Sequence, residues 1–311
     1  MNSLVIPVYR NEENIPDLLA ELERLAGLPG VAPLEVIFVV DGSPDHSLAR
    51  LQEGLPARGF QAKVVDLARN FGSFSAIRAG LAEAVGTAIA VLSADGQEPV
   101  ELAAEFFAAL RSGRCDLALG TRTARHDPWK DRLAAGIFWG LFRRLVISEL
   151  PPGGVDVFGC TDEVRHELLR LEESNSSLIG LLFWVGYRRE TLPYVRQARK
   201  RGKSAWSFAR KLHYLLDCSF SFSDLPVRML LFGGGIGIAL SAIYSMIVMG
   251  ARLTGWIQLP GYSTTVLLIC LFGSFQLFSM GILGSYLWRT FENTKRRPGY
   301  LVRRRTAYNE R

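Results

Sequence analysis

The stretch Leu34-Glu35-Val36-Ile37-Phe38-Val39-Val40-Asp41-Gly42-Ser43-Pro44-Asp45 decides how this chain is read. Its first part is apolar on both faces apart from Glu35, which suits a strand buried between two helix layers. The polar turn residues that follow stand where such a strand would emerge. The same unit recurs along the first 120 residues, with strands predicted at 4–9, 34–40, 63–67, 88–93 and 117–120. Helical patterns at 15–25, 47–54, 74–84 and 100–110 lie between them. Strict alternation of strand and helix predicts an α/β fold with a parallel, doubly wound sheet. Ligands of such sheets bind beyond the carboxyl ends of the strands.

Those ends are polar. They carry Arg10-Asn11-Glu12-Glu13, Asp41-Gly42-Ser43-Pro44-Asp45, Arg69-Asn70-Phe71-Gly72, Ala94-Asp95-Gly96-Gln97-Glu98 and Thr121-Arg122. A single carboxylate after a strand reads as a helix N-cap, and Asp45, ahead of a helical run, is an instance. Polar groups converging from five strand ends on one rim point instead to a ligand. No GxGxxG follows the first strand and no GxxxxGK[ST] occurs, which argues against a dinucleotide-binding Rossmann domain and a P-loop NTPase.

The 311 residues are 49% apolar, with a mean hydropathy of +0.15, and the excess lies near the C-terminus. Residues 229–250 and 266–288 contain no Asp, Glu, Lys or Arg. Each has about the 20 residues that a helix needs to cross the hydrocarbon layer, so two membrane spans are predicted. Arg199, Lys200, Arg201, Lys203, Arg210, Lys211 and Arg228 precede them, and Lys295, Arg296, Arg297, Arg303, Arg304 and Arg305 follow, whereas the connecting loop holds only Arg252. That asymmetry places both termini in the cytoplasm, and the basic flanks suit anionic lipid headgroups. The expected organisation is a cytoplasmic domain over 1–225, a two-helix anchor over 226–290 and a basic tail over 291–311. Gly233-Gly234-Gly235 and Gly237 suit close helix packing, between the two spans or between subunits. Residues 131–147, with Trp139 and Phe142 beside Arg143 and Arg144, read equally as an interfacial helix or a core helix.

The net charge of +6 suits anionic partners. Four scattered cysteines suggest neither a disulfide framework nor a zinc site. The opening apolar run is too short for a signal peptide and a charged segment follows it at once.

The run Ile6-Pro7-Val8-Tyr9-Arg10-Asn11-Glu12, the Asp41-Gly42-Ser43 turn, Arg69-Asn70-Phe71-Gly72 and Ala94-Asp95-Gly96-Gln97-Glu98-Pro99 resemble family-2 glycosyltransferases of the GT-A fold. Within that family, the paired spans and the closing Arg297-Pro298-Gly299-Tyr300-Leu301-Val302 resemble the polyprenyl-phosphate glycosyltransferases. The resemblance implies a GT-A (Rossmann-like), mostly parallel sheet followed by two transmembrane helices, multi-pass in the inner (cytoplasmic) membrane. It implies a nucleotide-sugar donor, a UDP-sugar being favoured, a polyprenyl phosphate acceptor, membrane lipids as surroundings, no nucleic acid, and a possible homo-oligomer. The implied reaction is an inverting displacement.

By the same resemblance, Pro7, Tyr9, Glu12 and Asp41 line the nucleotide pocket, and Arg69 and Arg122 hold the diphosphate with guanidinium forks. Asp95 and Gln97 match an Asp-x-Asp-x-Gln stretch that holds Mg²⁺ or Mn²⁺, with Ser93 standing in place of the first carboxylate. Asp156, after the turn Gly153-Gly154-Val155, orients the acceptor or takes its proton. Arg201, Lys203 and Ser204 grip the lipid phosphate or the donor pyrophosphate, and Trp206 sits at the interface. Two other readings stay open. One is a membrane glycosyltransferase that elongates a glycan or glycolipid. The other, prompted by Ser93, is a catalytically weak membrane scaffold.

Overall fold

The computed structural model describes residues 1–124, 140, 149–151, 154–155, 157–173, 177–197, 218, 220–223, 225–254 and 261–309. Two compact units divide the chain: Met1–Leu215 with Arg297–Arg311, and Leu216–Arg296.

The first unit is built on strands β1 (Asn2–Val8), β2 (Leu34–Val40), β3 (Gln61–Leu67), β4 (Ala88–Val91), β5 (Leu117–Ala124), β6 (Val157–Thr161), β7 (Arg189–Val195) and β8 (Val302–Tyr308). Its helices are α1 (Ile15–Ala26), α2 (Ser47–Gly54), α3 (Ser73–Glu83), α4 (Glu101–Arg111), α5 (Asp162–Arg170) and α6 (Leu178–Trp184). The strands join in one sheet of order β7-β5-β6-β4-β1-β2-β3-β8. β4, β1, β2 and β3 run parallel, as the alternation predicts. The strictly parallel expectation fails at β6, which lies antiparallel between β4 and β5, and at β8, which is antiparallel to β3. The sheet is therefore mostly parallel, in an α/β unit. Two reversals across β6 restore the direction of β5, and β7 runs parallel to β5. Six strands consequently present their carboxyl ends on one rim.

Burial explains the register. Every residue of β2 is buried, and Leu4, Ile6, Phe38, Phe106 and Phe107 are inaccessible to solvent in the core. α1 turns Leu18, Leu19, Leu22 and Leu25 inward at helical spacing, with Pro16 in its first turn where the missing N–H costs nothing. Gly80 is needed where α3 crosses the sheet, since a Cβ there would lie 2.3 Å from Val5 Cγ1. β8 closes the β3 edge. The Arg305 Nε donates to Glu83 at 2.6 Å and the Leu301 carbonyl accepts from the Ala68 N–H at 2.9 Å.

The second unit holds α7 (Leu225–Leu253) and α8 (Tyr262–Thr294), which contain the two apolar stretches. Leu231, Phe232, Leu277 and Leu287 are all more than two-thirds exposed. Among the described residues, Pro226–Tyr244 is long and apolar enough to cross a membrane. Of the α7 glycines, Gly233 meets α8, where a Cβ would come 2.8 Å from the Phe275 ring. The stretch 131–147, Gly140 aside, lies outside the described residues.

Candidate active site

The loops after β1, β2 and β3 are stitched together by side chains that hold backbone. Arg10 takes a left-handed φ of 54°, and its N–H donates to Ser43 Oγ at 2.8 Å. The Glu12 N–H donates to Asp45 Oδ2 at 3.1 Å, while Glu12 Oε2 accepts the His46 N–H at 2.8 Å. Asp45 also accepts from the Ser43 hydroxyl at 2.6 Å and the Ser47 N–H at 3.2 Å. Burial opposes its ionisation, but the hydrogen bonds from Ser43, Ser47 and Glu12 outweigh that and hold the carboxyl below its ordinary range. His46, not Asp45, is the N-cap of α2; Asp45 stands one residue earlier, accepts the first helical N–H, and also braces the β1 loop.

Asp41 is buried at the end of β2. Its Oδ1 accepts the Phe71 N–H at 2.7 Å and its Oδ2 the Gly72 N–H at 2.9 Å. Burial pushes this carboxyl up, while those two N–H groups and the nearby Arg69 pull it back in part. Arg69 is exposed and stacks its guanidinium 4.0 Å from the Phe71 ring centroid. Pro7 is half-buried in β1, and Tyr9, just after the strand, is 38% exposed on the rim.

A second set of contacts builds the loop after β4. The Ser93 hydroxyl bridges Asp95 Oδ1, at 2.8 Å, and Glu98. The Gln97 N–H donates to Asp95 Oδ1 at 3.3 Å, and Gly96 supplies the left-handed turn with a φ of 68°. Gln97 is turned toward the end of β7. Its Oε1 accepts from Arg196 Nη2 at 2.5 Å, its Nε2 donates to the Gln197 carbonyl at 3.3 Å, and its own carbonyl accepts the Gln197 N–H at 2.9 Å. Glu98 is buried, with Oε1 3.8 Å from Arg196 Nε. Asn14, Asp17, Glu21, Asp95, Glu98 and Gln197 are among the residues lining one cavity between α1 and the β4 loop.

The rim therefore brings together Pro7, Tyr9, Glu12, Asp41, Arg69, Asp95 and Gln97, with Arg122 on β5 in register with Tyr194 of β7. Asp156, Arg201, Lys203, Ser204 and Trp206 lie outside the described residues. Arg196, Ser43 and Asp45 emerge as site-building residues from the structure. Asp45 carried a sequence signal in its place before a helix, and Ser43 in the Asp41-Gly42-Ser43 turn, whereas Arg196 carried none.

The donor chemistry of the Asp95 loop fits a hard divalent cation. A carboxylate, a hydroxyl and an amide oxygen fall within five residues, and Mg²⁺ keeps several waters and needs only one or two carboxylates. Among the described residues, no group of three or more His, Cys, Asp or Glu side chains gathers as a metal site.

A mostly parallel α/β sheet with a polar carboxyl rim defines the class as an α/β protein that takes its ligand beyond the strand ends. Residues 3–169 match the model of glycosyl transferase family 2, more than half of the chain, and the protein belongs to that family; it is a glycosyltransferase. It is 34% identical over 301 residues to an uncharacterized glycosyltransferase of Synechocystis sp., covering 96% of this chain and 94% of that one. It is 31% identical to the glycosyltransferase CsbB of Bacillus subtilis, over 99% of this chain and 93% of the relative. It is also 28% identical to the bactoprenol glucosyl transferase of Shigella phage SfX, over 97% of this chain and 99% of the relative.

Proposed function

We propose that this glycosyltransferase moves a sugar from a nucleotide diphosphate donor, a UDP-sugar, onto a polyprenyl phosphate at the cytoplasmic face of a bilayer. The observation that carries the reading is the end-to-end match to a bactoprenol glucosyl transferase, which takes in the helical unit as well as the sheet. The Pro226–Tyr244 stretch of α7, long and apolar enough to cross a membrane, and the exposed apolar side chains of α8 support an anchor, and the basic flanks in the sequence support two spans with the sheet unit and both termini in the cytoplasm.

The chemistry follows from charge. A lipid phosphate oxygen, already an anion, attacks the anomeric carbon from the side opposite the nucleotide. A carbon–oxygen bond to the lipid phosphate forms as the bond to the diphosphate breaks, and its electron pair leaves with the diphosphate, inverting the centre. Arg69 and Arg122 hold the diphosphate, and Pro7, Tyr9, Glu12 and Asp41 shape the nucleotide pocket. Asp95 and Gln97 would hold Mg²⁺ or Mn²⁺, which when bound neutralises charge on the departing diphosphate. Asp156 orients the acceptor, and Arg201, Lys203 and Ser204 bind its phosphate.

The test incubates membranes carrying the wild type or Asp95→Ala with polyprenyl phosphate and a panel of nucleotide sugars, and weighs the lipid product by mass spectrometry. The expected result is one new lipid-phosphate sugar, absent with the variant although its membrane insertion is unchanged. Undiminished transfer by the variant would refute the assignment of Asp95.

A further inference from the structure

Gln97 uses both ends of its amide, and its own carbonyl, on the two residues that follow β7. The acceptor oxygen takes a charge-assisted hydrogen bond from Arg196 at 2.5 Å. The side-chain nitrogen and the backbone carbonyl pair with Gln197 at 3.3 and 2.9 Å. Arg196 also faces the buried Glu98, while its Nε is buried with no hydrogen-bond partner among the described residues. The chain that leaves this clasp runs directly into the basic stretch from Arg199 to Lys211.

We infer that Arg196 is a positioning residue that makes the β7 clasp and a divalent cation antagonistic occupants of the Asp95 loop. The inference rests on the cation reading of that loop given above. An amide oxygen has two lone pairs, so Gln97 can meet a cation either by releasing Arg196 or by sharing its oxygen. Sharing would bring a guanidinium and a divalent ion within a few ångströms of each other, which costs free energy at any protein dielectric. Cation binding therefore weakens the clasp, and by reciprocity clasp release strengthens cation binding. The loop read as holding the donor's cation is thereby linked to the two residues that follow β7.

Two measurements on the full-length protein in lipid nanodiscs test this. The first titrates Mn²⁺ and follows free ion by electron paramagnetic resonance, without substrates, for the wild type, Arg196→Met and Arg196→Lys. Arg196→Met should bind Mn²⁺ about tenfold more tightly, the size of one screened like-charge repulsion at this range. Arg196→Lys, which keeps the charge, should stay near wild type. The second follows hydrogen exchange of the peptide containing Gln197 in the wild-type protein, where Mn²⁺ should speed exchange. Unchanged or weaker Mn²⁺ binding by Arg196→Met, or Gln197 exchange that Mn²⁺ leaves unaltered or slows, overturns the antagonism. If the wild type binds no Mn²⁺ and sugar transfer is indifferent to chelator, the cation reading falls and takes this inference with it. If it binds Mn²⁺ normally, only the antagonism is at stake.

Discussion

The Asp41 carboxylate holds the Phe71 N–H at 2.7 Å across the gap between the β2 and β3 loops, and the same group holds the Gly72 N–H at 2.9 Å. A buried carboxylate spent on two backbone donors sets the path of the loop that carries Arg69. Asp41→Asn keeps the shape but sets an amide donor against one of those N–H groups. We expect a loss of about 1–3 kcal/mol in stability, the cost of an unsatisfied buried donor. The donor KM should rise more than kcat falls, because the displaced loop carries Arg69, proposed to hold the donor diphosphate. Denaturant unfolding and a donor titration of the variant check both halves. An unchanged KM would detach Asp41 from the donor pocket.

Gly42 lies against the same loop. Its φ is +55°, and a Cβ there would stand 2.3 Å from the Arg69 carbonyl carbon and 2.5 Å from the Asn70 nitrogen. Those neighbours are backbone and cannot swing away. Gly42→Ala should therefore push the 69–72 loop off the rim, weakening donor binding and lowering the melting temperature. A variant with wild-type melting and wild-type donor affinity would show that the two loops separate without cost.

The parallel half of this architecture was legible because its signals are local. Strand 34–40 and helix 47–54 match Leu34–Val40 and Ser47–Gly54 to the residue, since an apolar run bounded by turn residues and a periodic stretch need no distant partner. The antiparallel strands were not. Val157–Thr161 is five residues long and earns its place by pairing with β4 and β5. Val302–Tyr308 has three consecutive arginines and reads as a basic flank until its β3 partner is known. The rim positions of Tyr9, Asp41, Arg69 and Asp95 follow from strand ends alone. Arg196 does not, because its role depends on Gln97, about a hundred residues earlier in the chain.

Asp116 and Arg188 offer a pH test. Arg188 Nε and Nη2 donate to the two Asp116 oxygens at 2.9 and 2.8 Å, beside the junction of β5 and β7. The Arg188 hydrogen bond is the chief cause holding this carboxyl below its ordinary range. A carboxyl that titrates lower when folded contributes fully above its unfolded pKa, and that contribution drains away as pH falls through the folded value. The stability difference between wild type and Asp116→Asn should thus shrink on acidification from neutral pH, and added salt should reduce it at neutral pH, as for a surface pair. Thermal unfolding of both proteins across that range decides the matter. A difference independent of pH would assign the loss to backbone contacts alone.

Asn309 ends β8 in a left-handed conformation, with φ of 57°, which Asn tolerates better than most residues. Its Nδ2 lies 3.1, 3.0 and 3.3 Å from the carbonyls of Leu55, Arg58 and Phe60. One amide group with two hydrogens thereby pins the last strand to the turn that precedes β3. Asn309→Gly relieves the backbone but loses the bonds, whereas Asn309→Ala loses the bonds and adds strain. The alanine variant should be the less stable of the two, and the glycine variant should sit about 1 kcal/mol below wild type, the net worth of an ordinary hydrogen bond. The change should be local first. β8 amides should exchange faster while those of β1 and β2 stay protected, because an edge strand opens before the centre of its sheet. Equal stability of all three proteins, with β8 exchange unaltered, would mean that Arg305–Glu83 and the β3 ladder hold the edge without Asn309.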